Sequence, residues 1–342
     1  MKAMLLDRIA SLADNPVPLR LADWPIPEPG DGEVLIRVSA CGVCHTELDE
    51  IEGRTPPPRM PVILGHQAVG RVELLGPAAI GPAPGERVGV AWIFHACGVC
   101  AHCLAGYENL CADFRATGRD AHGGYAEYMV APADFVHAIP AAFSDAEAAP
   151  LLCAGAIGYR SLFLTGLQNG QTLGLTGFGA SAHLVLMMAR HRYPDSPVYV
   201  FARSPEERAF ALELVAAWAG DTDADPPAAL DAIIDTTPAW TPILAALARL
   251  APGGRLVVNA IRKEEADKSA LLGLDYPAHL WLEKEIKSVA NVARSDVREF
   301  LALAAEIPIR PEVEEYPLED ANRALLDLKT RRVRGAKVLR VA

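Results

Sequence analysis

The sequence predicts an α/β protein of two domains: a β-rich domain of short strands and a doubly wound domain built on a parallel sheet. Its 342 residues exceed the usual size of a single hydrophobic core. Short strands between Gly- and Pro-rich turns fill residues 1–150, whereas strands and helices alternate over residues 151–294. Residues 295–342 are assigned to the first domain, which is therefore discontinuous.

The strands of the first domain are predicted from runs that alternate between polar and apolar residues or are rich in β-branched residues. Turn signals such as PEPGDG and GPAPGE separate these runs. The clearest are EVLIRVSA (33–40), AVGRVELLG (68–76) and ERVGVAW (86–92).

The second domain is predicted from apolar strands that alternate with helices. The strands are TLGLTGFGA (172–180), VYVFARS (198–204), DAIIDTTP (231–238) and GGRLVVNA (253–260). Helices follow the first three of them, in segments 181–192, 205–220 and 241–250. Strands this apolar are covered on both faces, and right-handed crossovers then produce a doubly wound, dinucleotide-type sheet. In the tail, the helices DVREFLALAAE and LEDANRALLDLKTRR precede a closing strand, GAKVLRVA.

Charge and composition exclude several classes of protein. The net charge of −11 disfavours binding to nucleic acid or to an anionic membrane surface. The start, MKAMLLDRIASLADNPVPLR, lacks the apolar run of a signal peptide, and no stretch approaches the roughly 18 uncharged apolar residues of a membrane span. We therefore expect a cytoplasmic protein, whose reducing surroundings favour metal ligation over disulfides at its seven cysteines.

One candidate metal site, the four-cysteine loop, has the spacing CxxCxxCx7C and consists of Cys97, Cys100, Cys103 and Cys111. Thiolates two residues apart can point inward from one tight loop and, with the fourth, complete a tetrahedron. Four thiolates leave no position for water, so the pattern predicts a structural zinc ion. The alternatives are free surface thiols, disulfides or an iron–sulfur cluster, although the spacing differs from that of ferredoxins.

A second candidate site is dispersed along the chain. Cys44 follows the strand 33–40, His66 follows a glycine in VILGHQAVG, and Cys153 lies in APLLCAG near the domain boundary. Two thiolates and one imidazole leave the fourth position of a zinc ion open, which is the pattern of a catalytic site. Singly, each residue is more often a packed core side chain. Their combination with the four-cysteine loop and a nucleotide-type domain favours the metal site.

The chain resembles the zinc-dependent alcohol dehydrogenases of the medium-chain dehydrogenase/reductase superfamily over essentially its whole length. The resemblance is carried, in order, by CGVCHTEL (41–48), GHQAVG (65–70), the four-cysteine loop and GFGASA (177–182). It implies a GroES-like catalytic domain, a Rossmann coenzyme domain, and a cleft that holds zinc and nicotinamide. By position, Cys44, His66 and Cys153 match the ligands of the catalytic zinc, and the four-cysteine loop matches the structural one.

The resemblance also implies roles for single residues. Thr46 matches the hydroxyl residue that takes the substrate proton. Trp92 matches a position that lines the substrate pocket, where a bulky indole favours small or slender primary alcohols and aldehydes. A packed core position is the alternative for Trp92.

Three positions depart from the family pattern. Gln67 stands where a Glu is usual, and a neutral amide supplies no negative charge beside the zinc. Glu47 replaces the Asp that would accept the ring N–H of His66. Asp49 stands where many relatives carry a His, which leaves the outer proton relay open. His45 is an alternative shuttle, although in relatives that position more often meets the coenzyme pyrophosphate.

The segment GFGASA matches the GxGxxG pattern only if Ala182 replaces the last glycine. Because the segment ends a strand and opens a helix, its backbone N–H groups are expected to bind a pyrophosphate. The alternative is a tight packing turn. The residues concerned are Gly177, Phe178, Gly179, Ala180 and Ser181.

The end of the second strand predicts which coenzyme is used. It carries no carboxylate before Glu206 to hold a ribose diol; instead it presents Ala202, Arg203 and Ser204. An arginine and a hydroxyl suit a 2′-phosphate, so NADP(H) is favoured and NAD(H) is the alternative. Arg334 and Lys337 are further candidates for the pyrophosphate, with solvated surface charges as the alternative.

The sequence therefore predicts a zinc-dependent alcohol dehydrogenase or aldehyde reductase with two zinc ions per chain. The alternatives are a polyol or aromatic-alcohol dehydrogenase of the same superfamily, a non-catalytic protein that binds zinc and nucleotide, and a zinc-finger nucleic-acid module, which the net charge disfavours. The expected partner is a small alcohol or aldehyde. Relatives are dimers or tetramers, so we expect a homodimer or homotetramer, paired through the sheet edges VYVFARS and IKSVANVA (286–293).

Overall fold

The computed structural model describes residues 1–307, 309–330 and 335–341 of the chain. The chain forms two compact units, of which the first comprises Met1–Ala156 and Asn291–Ala342 and the second comprises Ile157–Ala290. The domain boundaries predicted from the sequence lie after residue 150 and before residue 295.

The first unit begins with short strands joined by turns. Up to residue 150 these strands are β1 (Lys2–Leu6), β2 (Leu19–Asp23), β3 (Glu33–Val43), β4 (Val62–Ile63), β5 (Ala68–Leu75), β6 (Arg87–Val90), β7 (Ile93–His95), β8 (Arg115–Ala116), β9 (Tyr128–Pro132) and β10 (Val136–Ala138). The helices among them are α1 (His45–Ile51), α2 (Ala101–Leu104) and α3 (Asp145–Pro150). A π-helical turn, Leu151–Gly155, follows α3 directly.

The second unit alternates strands with helices. After α4 (Ala156–Thr165) come β11 (Leu173–Thr176), α5 (Ala180–Arg192), β12 (Val198–Phe201), α6 (Pro205–Glu213), β13 (Trp218–Gly220), β14 (Leu230–Asp235), α7 (Thr241–Arg249), β15 (Leu250–Val258), α8 (Tyr276–His279) and β16 (Glu285–Ser288). The chain then returns to the first unit with α9 (Arg294–Glu306), β17 (Val313–Pro317), α10 (Ala321–Lys329) and β18 (Ala336–Arg340).

Two main sheets shape the first unit. One has three strands in the order β2-β1-β4, and the larger runs β10-β6-β5-β3-β18-β17, with β9 also paired to β3. Pairing is antiparallel except between β17 and β18. Buried apolar side chains of β1, β3, β5, α1 and α10 form one core beneath these strands. The C-terminal strand β18 thus completes the sheet begun near the N-terminus, as the discontinuous domain requires.

The second unit contains a six-stranded sheet in the order β13-β12-β11-β14-β15-β16. Every pairing in it is parallel. All residues of β11 and β12 are buried, which explains why these strands are continuous apolar runs in the sequence. The strand order reverses beside β11, as in doubly wound nucleotide-binding folds. The predicted α/β class, with one β-rich and one doubly wound domain, is confirmed.

Two predictions about the second unit were wrong. The helix predicted over 205–220 ends at Glu213, because the chain turns at Val215, where φ is +65°, and then pairs as β13 with β12. Consequently β12 lies inside the sheet, and VYVFARS is not a sheet edge. The edge on the opposite side is β16, which overlaps the other predicted run at residues 286–288.

The helical segment Asp145–Thr165 is long and apolar enough to cross a membrane by length and composition. Because it contains the charged residues Asp145, Glu147 and Arg160, it is not an uncharged apolar run in the sequence. In the structure 78% of its most apolar window is buried inside the protein. The segment therefore has the burial of a core helix in a globular protein.

Candidate metal centres and coenzyme loop

Cys44, His66 and Cys153, the three-residue centre, converge in the first unit, with their ligand atoms within 4.8 Å of one another. Cys44 caps the N-terminus of α1 directly after β3. His66 follows Gly65, whose φ of +97° and close packing leave no room for a side chain. Cys153 lies in the π-helical turn 151–155, a local widening of a helix that is frequent at functional sites. Distant parts of the sequence thus present their side chains at one place.

The distance between the two sulfur atoms fits a shared metal ion. Cys44 Sγ and Cys153 Sγ are 4.0 Å apart. A disulfide requires about 2 Å, whereas two thiolates on one tetrahedral zinc ion lie about 3.8 Å apart, as Zn–S bonds of about 2.3 Å dictate. Two sulfurs and one imidazole are donors that zinc prefers, and they leave one position of the tetrahedron free. The donor set therefore fits a zinc ion that can accept a further ligand.

Glu47 orients the imidazole of His66. Its Oε1 lies 2.5 Å from Nδ1 of His66, an ion-pair contact that is too bent for an ideal hydrogen bond. Its Oε2 accepts a hydrogen bond of 2.8 Å from the backbone N–H of Cys44. His66 and Glu47 are buried, whereas Cys44 is partly exposed. Glu47 therefore reaches His66 despite its extra methylene and leaves Nε2 to face the centre.

Without a metal ion, the electrostatics of the three-residue centre favour a thiolate at Cys44, a thiol at Cys153 and a protonated imidazole at His66. The hydrogen bond from Cys153 lowers the pKa of the Cys44 thiol well below its usual value and raises that of Cys153. Burial alone would lower the pKa of His66, but the carboxylate of Glu47 outweighs it and holds that pKa well above its usual value. The two sulfurs thus share one proton. A bound cation would displace this proton and that of His66, because zinc binds thiolates and a neutral imidazole.

The other side chains of α1 differ in environment. Thr46 is 8% exposed, and its Oγ1 accepts a 3.5 Å hydrogen bond from the Cys44 thiol. His45 is exposed at the start of the helix. Asp49 is buried, and its carboxylate is held by the guanidinium of Arg54. The structure therefore places Thr46 beside the three-residue centre and ties Asp49 to an arginine.

The four-cysteine loop also gathers its sulfurs within 4.8 Å. Cys97 and Cys103 have their sulfurs 3.9 Å apart, and the N–H of Cys97 donates to Cys111 Sγ at 3.4 Å. Hydrogen bonds from the backbone of Val99 and Cys100 lower the pKa of Cys97 to about 7, while burial raises that of Cys103 to about 12. A bound dication would remove the remaining protons, so this loop also fits zinc.

A salt bridge that the sequence did not reveal anchors the four-cysteine loop. Glu108, between the third and fourth cysteines, accepts hydrogen bonds from the backbone and the guanidinium of Arg294 at the start of α9. The same guanidinium lies 4.5 Å from the ring centroid of Phe135. No spacing signal links residues so distant in sequence, so only the folded chain shows this contact.

The coenzyme loop is a tight strand-to-helix turn in the second unit. β11 ends at Thr176 and α5 begins at Ala180, so only residues 177–179 connect them. Gly177 has φ of +78°, and a side chain there would meet Thr236. Gly179 caps α5 without a side-chain hydrogen bond and has open space beside its Cα.

The side chains of this loop divide into exposed and packed ones. Ala180 is exposed and Ser181 is partly exposed, whereas Phe178 is buried against Phe210 and Ala182 is fully buried. Phe178 can therefore offer only its backbone to a ligand. The small Ala182 allows close packing of α5 on the sheet, the role of the third glycine in such turns.

At the end of β12, the guanidinium of Arg203 is free, whereas the hydroxyl of Ser204 is already hydrogen-bonded. Arg203 is exposed, and its guanidinium has no partner among the described residues. Ser204 caps α6, accepting from the N–H of Glu207 and donating to Glu206 at 2.5 Å. Ala202 is buried. Arg203 alone is therefore free to meet a phosphate.

Comparison with known proteins decides the family. The model for the "Alcohol dehydrogenase GroES-like domain" matches residues 30–141, and that for "Zinc-binding dehydrogenase" matches residues 211–339. The chain is 44% identical over 328 residues to a probable alcohol dehydrogenase, AdhA, of Mycobacterium tuberculosis, covering 94% of this chain and 92% of the relative. The chain belongs to the zinc-dependent medium-chain alcohol dehydrogenase family.

Other relatives agree. An alcohol dehydrogenase of Geobacillus stearothermophilus is 33% identical over 343 residues, which cover 95% of this chain and 96% of the relative. Among solved structures, a cobalt- and zinc-bound thermostable alcohol dehydrogenase of Pyrobaculum aerophilum superposes with a TM-score of 0.85 at 25% identity, covering 100% of this chain and 99% of that one. The predicted alcohol dehydrogenase function is confirmed at the level of the superfamily.

In this alcohol dehydrogenase Trp92 is partly buried between two neighbours. Its ring centroid lies 5.4 Å from that of Phe114, and the guanidinium of Arg119 lies 5.7 Å from it. Its buried Nε1 has no hydrogen-bond partner among the described residues. An indole that packs against Phe114 and has one unsatisfied N–H donor fits both predicted roles of Trp92, lining the substrate pocket and packing in the core.

Lys337 and Arg334 were the further candidates for binding the coenzyme pyrophosphate. Lys337 is 2% exposed in β18 of the first unit, 4.0 Å from Glu314, so the alternative of a solvated surface charge was wrong for it. Arg334 lies outside the described residues. Gln67 is buried against Gly42, where a Cβ would come within 2.4 Å of its Oε1.

Proposed function

We propose that this alcohol dehydrogenase holds one zinc ion in the three-residue centre and transfers hydride between a small alcohol and a nicotinamide coenzyme. The convergence of Cys44, His66 and Cys153 within 4.8 Å carries the proposal. A bound zinc ion would supply a Lewis acid for the substrate oxygen, and nicotinamide would accept or return the hydride. We further propose that the four-cysteine loop holds a second, structural zinc ion.

The residues of α1 manage the proton of the substrate. Thr46 Oγ1 lies next to Cys44 Sγ, so it can accept a hydrogen bond from an alcohol bound beside the centre and take up its proton. Glu47 keeps the ring of His66 in place. His45, exposed next to Thr46, is the proposed outward shuttle; Asp49 is less suited because Arg54 already holds its carboxylate.

Replacing Thr46 with valine tests this proton path. The variant keeps the shape of the side chain and removes the hydroxyl, so kcat/KM for alcohol oxidation should fall at least roughly 100-fold while zinc content is unchanged. Thr55→Val is the matched control, since the buried Thr55 hydroxyl has no hydrogen-bond partner among the described residues. Equal activity of the Thr46 variant and the control would contradict the assignment.

The proposed coenzyme is NADP(H), bound by the backbone of Gly177–Ser181 with Arg203 on the 2′-phosphate. The support is the free guanidinium of Arg203 and the uncapped start of α5. Because Ser204 is occupied by Glu206, Arg203 carries the discrimination alone. NAD(H) should therefore also be used, at lower efficiency.

Arg203→Ala measures this discrimination. Loss of one charge-assisted contact should raise KM for NADPH roughly tenfold or more and leave KM for NADH nearly unchanged. Arg203→Lys, which keeps the charge, should show a smaller loss. If both Michaelis constants of the alanine variant equal those of the wild type, Arg203 does not contact the coenzyme.

Trp92 is proposed to line the substrate pocket and to favour slender primary alcohols and aldehydes. Comparing the rates on ethanol and benzyl alcohol tests this preference.

We also propose a homodimer or homotetramer located in the cytoplasm. Every residue of the edge strand β16 is exposed, and Trp281 and Leu282 beside it are more than half exposed. Such an edge is suited to pairing with a second copy.

A further inference from the structure

Glu50 is the buried charge in the first unit that the assigned roles leave unexplained. It is fully buried in α1, and neither carboxylate oxygen has a hydrogen-bond partner among the described residues. An unpaired carboxylate in a protein interior is strongly unfavourable, so buried charges are normally paired or lie near a metal ion. Glu50 therefore needs a compensating positive charge in order to be ionised.

The helix places Glu50 on the same face as Glu47, the residue that contacts the three-residue centre. Residues three apart lie on the same face of a helix, so Glu50 is one turn beyond Glu47. Glu47 itself contacts His66 and the backbone of Cys44. Burial and the like charge of Glu47 raise the pKa of Glu50 well above its usual value, whereas His66 and Arg119 oppose this shift. The neighbourhood thus penalises the carboxylate until a cation arrives.

Among the described residues, the two arginines near this end of α1 form ion pairs with other carboxylates. Arg54 holds Asp49 and Glu52, and Arg119 holds Asp120 and lies over Trp92. Gln67, beside His66, is neutral and contributes no charge to the centre. A divalent ion held by Cys44, His66 and Cys153 would supply a positive charge in this part of the first unit.

We propose that Glu50 is a positioning residue for the metal centre, whose buried charge is compensated by the divalent cation held by Cys44, His66 and Cys153. This inference rests on the proposed function. It implies that metal binding stabilises α1 and that Glu50 raises the metal affinity of the centre without touching the substrate.

The test compares Glu50→Gln with wild type in metal-free and zinc-loaded full-length protein. The amide keeps the shape and removes the charge. The metal-free variant should melt at a higher temperature than metal-free wild type, and zinc loading should shrink or reverse the difference. Competition with a chelator should show that the three-residue centre of the Glu50→Gln variant binds zinc roughly 10- to 100-fold more weakly than that of wild type. Release from the four-cysteine loop should be unchanged.

Two controls separate the outcomes. Glu52→Gln removes a charge at the end of the same helix, where Arg54 and Lys329 pair with it, and should leave both zinc affinities unchanged. Glu50→Leu must reproduce the loss of affinity if the glutamine variant does not fold. Equal zinc affinity in wild type and Glu50 variants would overturn this inference alone. A wild type whose three-residue centre binds no zinc would overturn the proposed function, and this inference with it.

Discussion

Replacing His66 with alanine is expected to lower kcat/KM for alcohol oxidation at least about 1,000-fold and to release one of two zinc ions. The Lewis-acid contribution of a zinc ion is several kcal/mol of transition-state stabilisation, and each 1.4 kcal/mol is about tenfold in rate. The change removes the only imidazole among the three ligands. It also leaves the buried Glu47 carboxylate without its ion-pair partner.

His137→Ala is the matched control for this experiment. His137 is likewise a buried imidazole of the first unit, 8% exposed, and its Nε2 has no hydrogen-bond partner among the described residues. The control should keep both zinc ions and wild-type activity. Turnover and zinc content per chain are measured together. Full zinc content and full activity in His66→Ala would show that His66 is not a ligand.

Replacing Cys103 with serine is expected to release the other zinc ion and to lower the melting temperature by about 10 °C or more. A closed shell of four thiolates contributes folding free energy, and several kcal/mol correspond to shifts of this size in a chain of this length. Without metal, burial raises the pKa of Cys103 to about 12, so this side chain stays a protonated thiol. A thiol without metal adds little to the stability of the folded loop.

Cys41→Ala is the control for the loss of a sulfur. Cys41 is fully buried in the core of the first unit and belongs to neither cysteine group. That variant should keep both zinc ions. Calorimetry and limited proteolysis between residues 97 and 111 measure the effect. A Cys103 variant that melts like the control and resists cleavage would contradict a structural role for the metal.

The sequence predicted both cysteine groups because metal ligation constrains residue type and local spacing, and these are visible in the chain itself. The Cys97–Cys111 segment needs only one loop to bring its sulfurs together. The three-residue centre has members distant in sequence, each of which alone is more often a packed core side chain. It was predicted from their combination with the four-cysteine loop and the nucleotide-type domain, and the family resemblance then matched them to zinc ligands. The parallel sheet was predictable because strands covered on both faces must be apolar throughout.

Features that depend on long-range packing could not be predicted. The segment after Glu213 has helical periodicity, yet pairing of Trp218–Gly220 with β12 ends the helix early. The sequence does not show which cation a Glu or Asp of α1 will contact. The ion pair between Asp49 and Arg54 and the burial of Glu50 without a hydrogen-bond partner among the described residues were therefore not predicted. Burial of a charge is a property of the folded chain.

Elemental analysis of the purified protein tests the central claim most directly, because the claim is that one chain holds zinc in two separate centres. Wild type should contain two zinc ions per chain, and the His66→Ala and Cys103→Ser variants one each. A wild type with a single zinc ion that His66→Ala retains would contradict the claim, because Cys44, His66 and Cys153 would then hold no metal.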